Sequence, residues 1–128
     1  MPVQTTMDIA NQLVELCKAD KNIQAIQTLY ADDAVSFEAE PMPDGSACVK
    51  GKQAIIAKNE WWLANHDVHE ETIYGPYPHG DRFAVAICME ASPKETGQRM
   101  KMEEVALYTV ENGKIVKEEF FYNSPTSE

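Results

Sequence analysis

The chain has 128 residues, of which 44% are hydrophobic and 25% are charged, so its size and composition are those of one ordinary folded domain. We predict a single domain over residues 1–128. The net charge of −10 excludes partners that are bound through their phosphates, because nucleic acids and anionic membranes require a basic surface.

The N-terminal segment and the cysteines bear on location and cofactors. MPVQTTMDIANQ contains no basic stretch followed by an apolar run, and no apolar run approaches the ~20 residues of a membrane span. We therefore expect a cytoplasmic protein with no membrane partner. The three cysteines are odd in number and far apart, and no Cys/His spacing typical of a metal site occurs. The expectation is three reduced thiols, with no metal and no other cofactor.

The first half of the chain predicts helices. Apolar residues recur at helical spacing in three segments: Thr6–Ala19, Asn22–Tyr30 and Lys52–Asn65. Thr6 or Asp8 is expected to cap the first helix, since either side chain can accept a bond from an unpaired helix amide. A short strand is predicted over Ala34–Glu40, followed by a Pro- and Gly-rich loop that carries Cys48.

The second half of the chain predicts strands. Four segments alternate and are rich in β-branched and aromatic residues: Val68–Tyr77, Arg82–Ala91, Gln98–Val110 and Lys114–Tyr122. Asn112-Gly113, between the last two, tolerates the positive φ of a tight hairpin turn. Helices followed by strands favour an α+β fold, with the helices on one face of a curved, mainly antiparallel sheet.

Three stretches carry a family resemblance: LYADDAV at 29–35, GKQAI at 51–55 and YTVENGKIV at 108–116. In order and spacing they resemble the nuclear-transport-factor-2-like superfamily, which includes ketosteroid-isomerase-like proteins, and within it the SnoaL-like polyketide cyclases. The resemblance implies a cone-shaped half-barrel, in which three N-terminal helices and the sheet enclose one deep apolar pocket. It also implies a homodimer formed through the outer sheet face. Members include isomerases, cyclases, dehydratases, epoxide hydrolases and plain binding modules, so the fold does not choose among activities.

Glutamates that point into such a pocket are the candidate acid–base groups, because burial raises a carboxyl pKa toward neutrality. The resemblance places Glu38 at the position of the ketosteroid-isomerase base. The tyrosine of that enzyme has no counterpart on the first helix here, and the residues nearest its second acid are Glu104 and Ala106. Ketosteroid isomerase itself is therefore disfavoured.

Strand phase adds further candidates. Glu104 shares a strand face with Met100, Met102 and Tyr108, whereas both faces of the last strand carry apolar residues, so phase leaves open whether Glu118 or Glu119 faces inward. His69 is the candidate basic partner. The predicted catalytic residues are Glu38, His69, Glu104 and Glu119. The predicted ligand-binding residues are Tyr30, Phe37, Trp62, Met102, Tyr108 and Phe121.

The sequence thus predicts a protein whose pocket binds a small apolar molecule. The first hypothesis is a cofactor-free isomerase, cyclase or dehydratase that uses carboxylate acid–base chemistry. The alternatives are a non-catalytic binding module for a hydrophobic ligand and a structural homodimer with a vestigial pocket. An inward carboxylate without a cationic partner favours the enzyme, whereas an apolar cavity whose carboxylates are all ion-paired favours the binding module.

Overall fold

A computed structural model of the chain describes residues 5–42, 45–123 and 126–127. The elements in chain order are α1 Thr6–Lys18, α2 Asn22–Leu29, β1 Tyr30–Phe37, β2 Cys48–Lys50, α3 Lys52–Asn65, β3 His66–His79, β4 Arg82–Pro93, β5 Met100–Glu111, β6 Lys114–Phe121 and β7 Thr126–Ser127. Within these ranges three helices come before the four long strands. The α+β prediction is therefore confirmed.

The strands form one open sheet in the order β2-β1-β6-β5-β4-β3, with the short β7 paired to the start of β5. The pair β1–β6 is parallel, and the other pairs are antiparallel. The predicted mainly antiparallel sheet is thus confirmed, and it does not close into a barrel. Asn112 and Gly113 have φ of 50° and 74° in the β5–β6 turn, as a tight primed hairpin requires.

The three helices contribute apolar residues to a core that they share with the sheet. Ile9 and Leu13 of α1, Ile26 of α2 and Ile55 of α3 are buried together with Phe83 of β4. Helical spacing of apolar residues predicted these contacts, because such residues fall on one face of each helix. No helix in the described ranges is long and apolar enough to cross a membrane.

Two local predictions need correction. The capping residue of α1 is Thr5, not Thr6: Thr5 Oγ1 accepts from the Asp8 amide and the Asp8 carboxylate accepts from the Thr5 amide, both at 3.1 Å. Thr6 is already the first helical residue, so the predicted helix start was right; of the two predicted capping residues, Asp8 takes part in the cap and Thr6 does not. In addition, the predicted loop contains β2, because Cys48–Lys50 pairs antiparallel with the end of β1.

A β-bulge in β6 decides which side chains of this strand face the helices. Val110 pairs with Ile115 and Thr109 pairs with Lys117, so Val116 is an extra residue on β6. The bulge reverses the phase of the strand beyond it. Ile115 and Glu118 are consequently both buried on the inner face, although they are three residues apart.

Candidate active site

The helices and the inner face of the sheet form a cavity of about 1400 Å³. This is roomier than the roughly 300–1,000 Å³ that holds a drug-sized ligand. Apolar and aromatic side chains make much of its wall, including Ile73, Ile87, Met102 and Phe120. Its sheet wall and α3 also contribute charged groups: Glu38, Lys58, Glu71, Glu104 and Glu118.

Glu118 is the most deeply buried of these charged groups, at 2% exposed. The Tyr30 hydroxyl donates to its Oε1, and the Ser36 hydroxyl donates to its Oε2 over 2.6 Å. Burial raises the pKa of Glu118, whereas Lys58 and the hydrogen bonds from Ser36 and Tyr30 act in the opposite direction. Both carboxylate oxygens therefore have partners inside the protein.

Lys58 of α3 joins Glu118 to a second glutamate. Its Nζ lies 3.0 Å from Glu38 Oε1, 3.8 Å from Glu118 Oε2 and 2.7 Å from Ser36 Oγ. The Tyr122 hydroxyl donates to Glu38 Oε2 over 3.2 Å. We refer to Tyr30, Ser36, Glu38, Lys58, Glu118 and Tyr122 as the Lys58 cluster. With both carboxyl groups ionised the cluster carries a net charge of −1.

Glu104 of β5 differs from the two glutamates of the cluster. Its side chain lines the cavity, but it forms no hydrogen bond and no ion pair within 4 Å with any residue that the structure describes. Desolvation by burial raises the pKa of Glu104 to about 7; the neighbouring Glu38, Glu118 and Glu71 add to this rise, and Lys58 opposes it. Glu104 can therefore hold or release a proton at neutral pH.

The tyrosines and the cysteine of the cavity wall stay protonated at neutral pH. Burial, followed by the charge of Glu118, raises the pKa of Tyr30 and of Tyr108 well above the ordinary range. Burial also raises the pKa of the Cys17 thiol to about 12, so Cys17 is not a ready thiolate nucleophile. The tyrosines act as neutral hydroxyl groups.

The structure brings together two of the four predicted catalytic residues. Glu38 and Glu104 both line the cavity near Lys58. His69 also borders the cavity, at a second bulge in β3, but its side chain is engaged with Ser92 Oγ at 2.8 Å. Glu119 lies on the outer face of the sheet, where its carboxylate is 3.5 Å from Lys117 Nζ.

Among the predicted ligand-binding residues, four line the cavity: Tyr30, Trp62, Met102 and Tyr108. Phe37 and Phe121 do not belong to its described lining, and they are 39% and 52% exposed. The bulge at Val116 explains the placement of Phe121, because beyond it the even-numbered residues of β6 face inward. Phe120 therefore takes the place expected for Phe121, and Glu118 the place expected for Glu119.

Lys58, Ser36 and Tyr122 are site residues that the sequence prediction missed. A signal for Lys58 was present, since it lies three residues after Ile55 and four before Trp62, on the inward stripe of α3. A lysine on such a stripe requires an internal anionic partner. Among the described residues no group of three His, Cys, Asp or Glu side chains is arranged to hold a metal ion.

Three helices on a bent, mixed, open sheet with a cavity between them define a nuclear-transport-factor-2-like protein. The SnoaL-like domain family matches residues 4–122, and the chain belongs to that family. A Mesorhizobium loti protein, provisionally named a SnoaL-like polyketide cyclase and carbohydrate phosphatase, is 44% identical with a TM-score of 0.88. The match covers 93% of this chain and 100% of the other. The predicted resemblance is confirmed.

More distant structures share the fold. A nuclear-transport-factor-2-like protein from Burkholderia xenovorans is 16% identical with a TM-score of 0.73, over 97% of this chain and 93% of the other. A ketosteroid-isomerase-like protein from Catenulispora acidiphila, in complex with trimethylamine, is 20% identical with a TM-score of 0.66, over 80% of this chain and 76% of the other. Among curated proteins no match is found.

Proposed function

We propose that the protein is a cofactor-free enzyme that moves a proton within a largely apolar small molecule bound in the cavity. The observation that supports this best is Glu104, a partly buried carboxyl group that faces a large cavity without a cationic partner among the described residues. A general base works best when its pKa lies near the working pH. Isomerisation, cyclisation and dehydration next to a carbonyl are the reactions that such a group supports.

The two glutamates of the Lys58 cluster have a different role in this proposal. Glu38 and Glu118 are held by Lys58 and by hydroxyl groups, so they shape and polarise the cavity, and their oxygens are already engaged within the protein. If Glu104 were paired in the same way, the geometry would favour a non-catalytic binding module. The absence of such a partner for Glu104, within the part of the chain that the structure describes, is what favours the enzyme.

The test is proton exchange into ketones. In D₂O near pD 7, we expect the protein to catalyse deuterium exchange next to the carbonyl in at least one member of a panel of apolar ketones, both uncharged and amino-substituted. Glu104→Gln removes the base without changing the side-chain shape, so the catalysed exchange should fall by about 10²-fold or more. Mass spectrometry of the ketone measures the rate.

Glu15→Gln is the matched control for the exchange experiment, because it removes the same charge from an exposed position on α1. It should retain the exchange rate of the natural chain. Saturable ketone binding without any exchange would overturn the enzyme proposal and support the binding module. If the exchange rate is unchanged in Glu104→Gln, Glu104 is not the base and another residue takes that role.

We also propose that the protein forms a homodimer through the outer face of the sheet. Apolar side chains make a row across four strands there: Tyr74, Ala86, Val105 and Phe121 are successive partners in the strand register. Tyr74, Val105 and Phe121 are each about half exposed.

The mass of the protein in solution tests this homodimer. Sedimentation at micromolar concentration should give twice the 14.4 kDa mass of the chain. Val105→Glu should shift the protein to monomer, and a monomeric natural chain would contradict the proposal.

A further inference from the structure

We propose that the molecule bound in this cavity carries a positive charge, in the form of an ammonium group attached to an apolar body. This inference rests on the proposed function, because it concerns the same cavity and the same Glu104. It specifies a substrate class that the fold family does not.

The charges in the cavity wall are unbalanced. Four glutamates of the cavity wall, Glu38, Glu71, Glu104 and Glu118, face Lys58, which is the one lysine that α3 contributes to the described lining. The charge of Lys58 is already used, since its Nζ lies 3.0 Å from Glu38 Oε1 and 3.8 Å from Glu118 Oε2. Glu71 and Glu104 form no ion pair within the described part of the chain.

The rest of the described lining does not restore the balance. Its acidic residues are Asp20, Glu40, Asp67, Glu70 and Glu103, and its lysines are Lys18 and Lys94. His66 and His69 also border the cavity, and each has a ring nitrogen bonded to an oxygen of the protein. Acidic groups therefore outnumber basic groups both in the deep part of the cavity and across its whole lining.

Glu71 and Glu104 lie on the same inner face of the sheet. Glu71 pairs with Met89, Met89 pairs with Met102, and Glu104 lies two residues beyond Met102 on the same face of β5. Neighbouring strands are about 4.8 Å apart and two residues span about 6.8 Å along a strand, so the backbones of these glutamates lie about 12 Å apart on the sheet. A cation above the two methionines would interact with both carboxylates.

The glutamates of the cavity wall create a negative potential around Glu104, and seven groups on the surrounding elements face it. They are Cys17 of α1, Lys58 of α3, Glu38 directly after β1, Glu71 of β3, Tyr108 of β5, Glu118 of β6 and Tyr122 directly after β6. Beyond the effect of burial, Glu71 and Glu118 help to raise the pKa of Cys17, and Glu38 helps to raise the pKa of Tyr122 to about 12. Such a potential repels an anionic ligand and attracts a cation.

The aromatic wall also suits an ammonium group. The Nζ of Lys58 lies 5.1 Å from the centroid of the Phe120 ring, so a cation is already accommodated on one ring of the cavity. Tyr108 and Trp62 provide further aromatic surface in the lining. Aromatic rings together with unpaired carboxylates favour an ammonium ion over a neutral group of the same shape.

A bound cation also prepares the proposed base. Positive charge next to Glu104 lowers the pKa of this carboxyl group from its value of about 7 in the free protein. Binding near pH 7 therefore releases a proton and leaves Glu104 as the carboxylate that the proposed reaction needs. Proton release is a signature that a purely structural glutamate would not give.

The experiment compares three probes of one shape. Benzyltrimethylammonium, its uncharged isostere 2,2-dimethylpropylbenzene and the anion phenylmethanesulfonate are titrated against the protein at pH 6 and pH 8. At pH 8 we expect the ammonium probe to bind about tenfold more tightly than the isostere, a difference of about 1.4 kcal/mol. The preference for the ammonium probe over the isostere should be smaller at pH 6, where more of Glu104 is protonated. Calorimetry in buffers of different ionisation enthalpy should show proton release at pH 7.

Two variants test whether the effect belongs to the cavity. Glu104→Gln should lose the tenfold preference and the proton release together. Glu15→Gln, which removes the same charge from an exposed position on α1, should keep both. If the isostere or the sulfonate binds as tightly as the ammonium probe, if no probe binds, or if both variants behave alike, the inference is overturned. Glu104-dependent exchange into uncharged ketones would in that case leave the proposed function standing.

Discussion

Lys58→Met is expected to lower the free energy of unfolding by about 3 kcal/mol, the lower end of the range for breaking a buried ion pair. Methionine keeps the length and the apolar stem of the lysine but strands Glu38 and Glu118 without a cation. Glu118 cannot reach water, because its side chain is 3% exposed, and Lys58 itself is only 14% exposed. Urea denaturation at pH 7 measures the loss of unfolding free energy. An unchanged dependence of that free energy on urea concentration would show that the folded state is intact.

Two further variants separate the buried charge from the loss of a lysine as such. Lys117→Met breaks the exposed pair with Glu119 on the outer face and should change stability by less than about 0.5 kcal/mol. Adding Glu118→Gln to Lys58→Met removes the buried unpaired charge and should recover part of the lost unfolding free energy. The effects of substitutions at two residues in contact do not simply add. If Lys58→Met costs no more than Lys117→Met, Glu118 is not held as a carboxylate by Lys58.

The architecture was predictable because, apart from β1 and β2, the period of the sequence is helical up to Asn65 and alternating after it. Helical spacing in the first half gave α1, α2 and α3, and α3 has the predicted bounds of Lys52–Asn65. Alternation in the second half gave the four long strands. The short β2 was missed because three residues show no period of their own; Cys48–Lys50 becomes a strand only by pairing with β1.

The site was predictable only where the strands are regular. β4 and β5 pair without a break from Arg82–Thr109 to Ala91–Met100, so alternation correctly put Glu104 and Met102 on the inner face. β6 carries the bulge at Val116, and neither its position nor its existence is encoded by a Gly or Pro. Sequence phase therefore could not choose between Glu118 and Glu119. The ion pairs of Lys58 join α3 to β1 and β6, contacts that no local pattern specifies.

Glu104→Gln is expected to stabilise the protein above pH 7 and to have little effect in acid. The pKa of Glu104 rises from an ordinary 4.5 to about 7 on folding, so the folded state favours the protonated carboxyl group. The resulting stabilisation is present in full below about pH 4.5 and is lost as the pH rises through about 7. A difference of about 2.5 pKa units corresponds to about 3 kcal/mol of unfolding free energy. Glutamine resembles the protonated acid at every pH.

Urea denaturation at pH 4, 6 and 8 measures this effect. The variant and the natural chain should be equally stable at pH 4 and should diverge to about 3 kcal/mol by pH 8, whereas Glu15→Gln, at an exposed position on α1, should stay within about 0.5 kcal/mol of the natural chain. A gain in stability on loss of a proposed base is the trade-off expected of a site selected for chemistry. If Glu104→Gln gains nothing at pH 8, Glu104 is solvated or paired. The proposed proton transfer and the ammonium preference would then lose the same support.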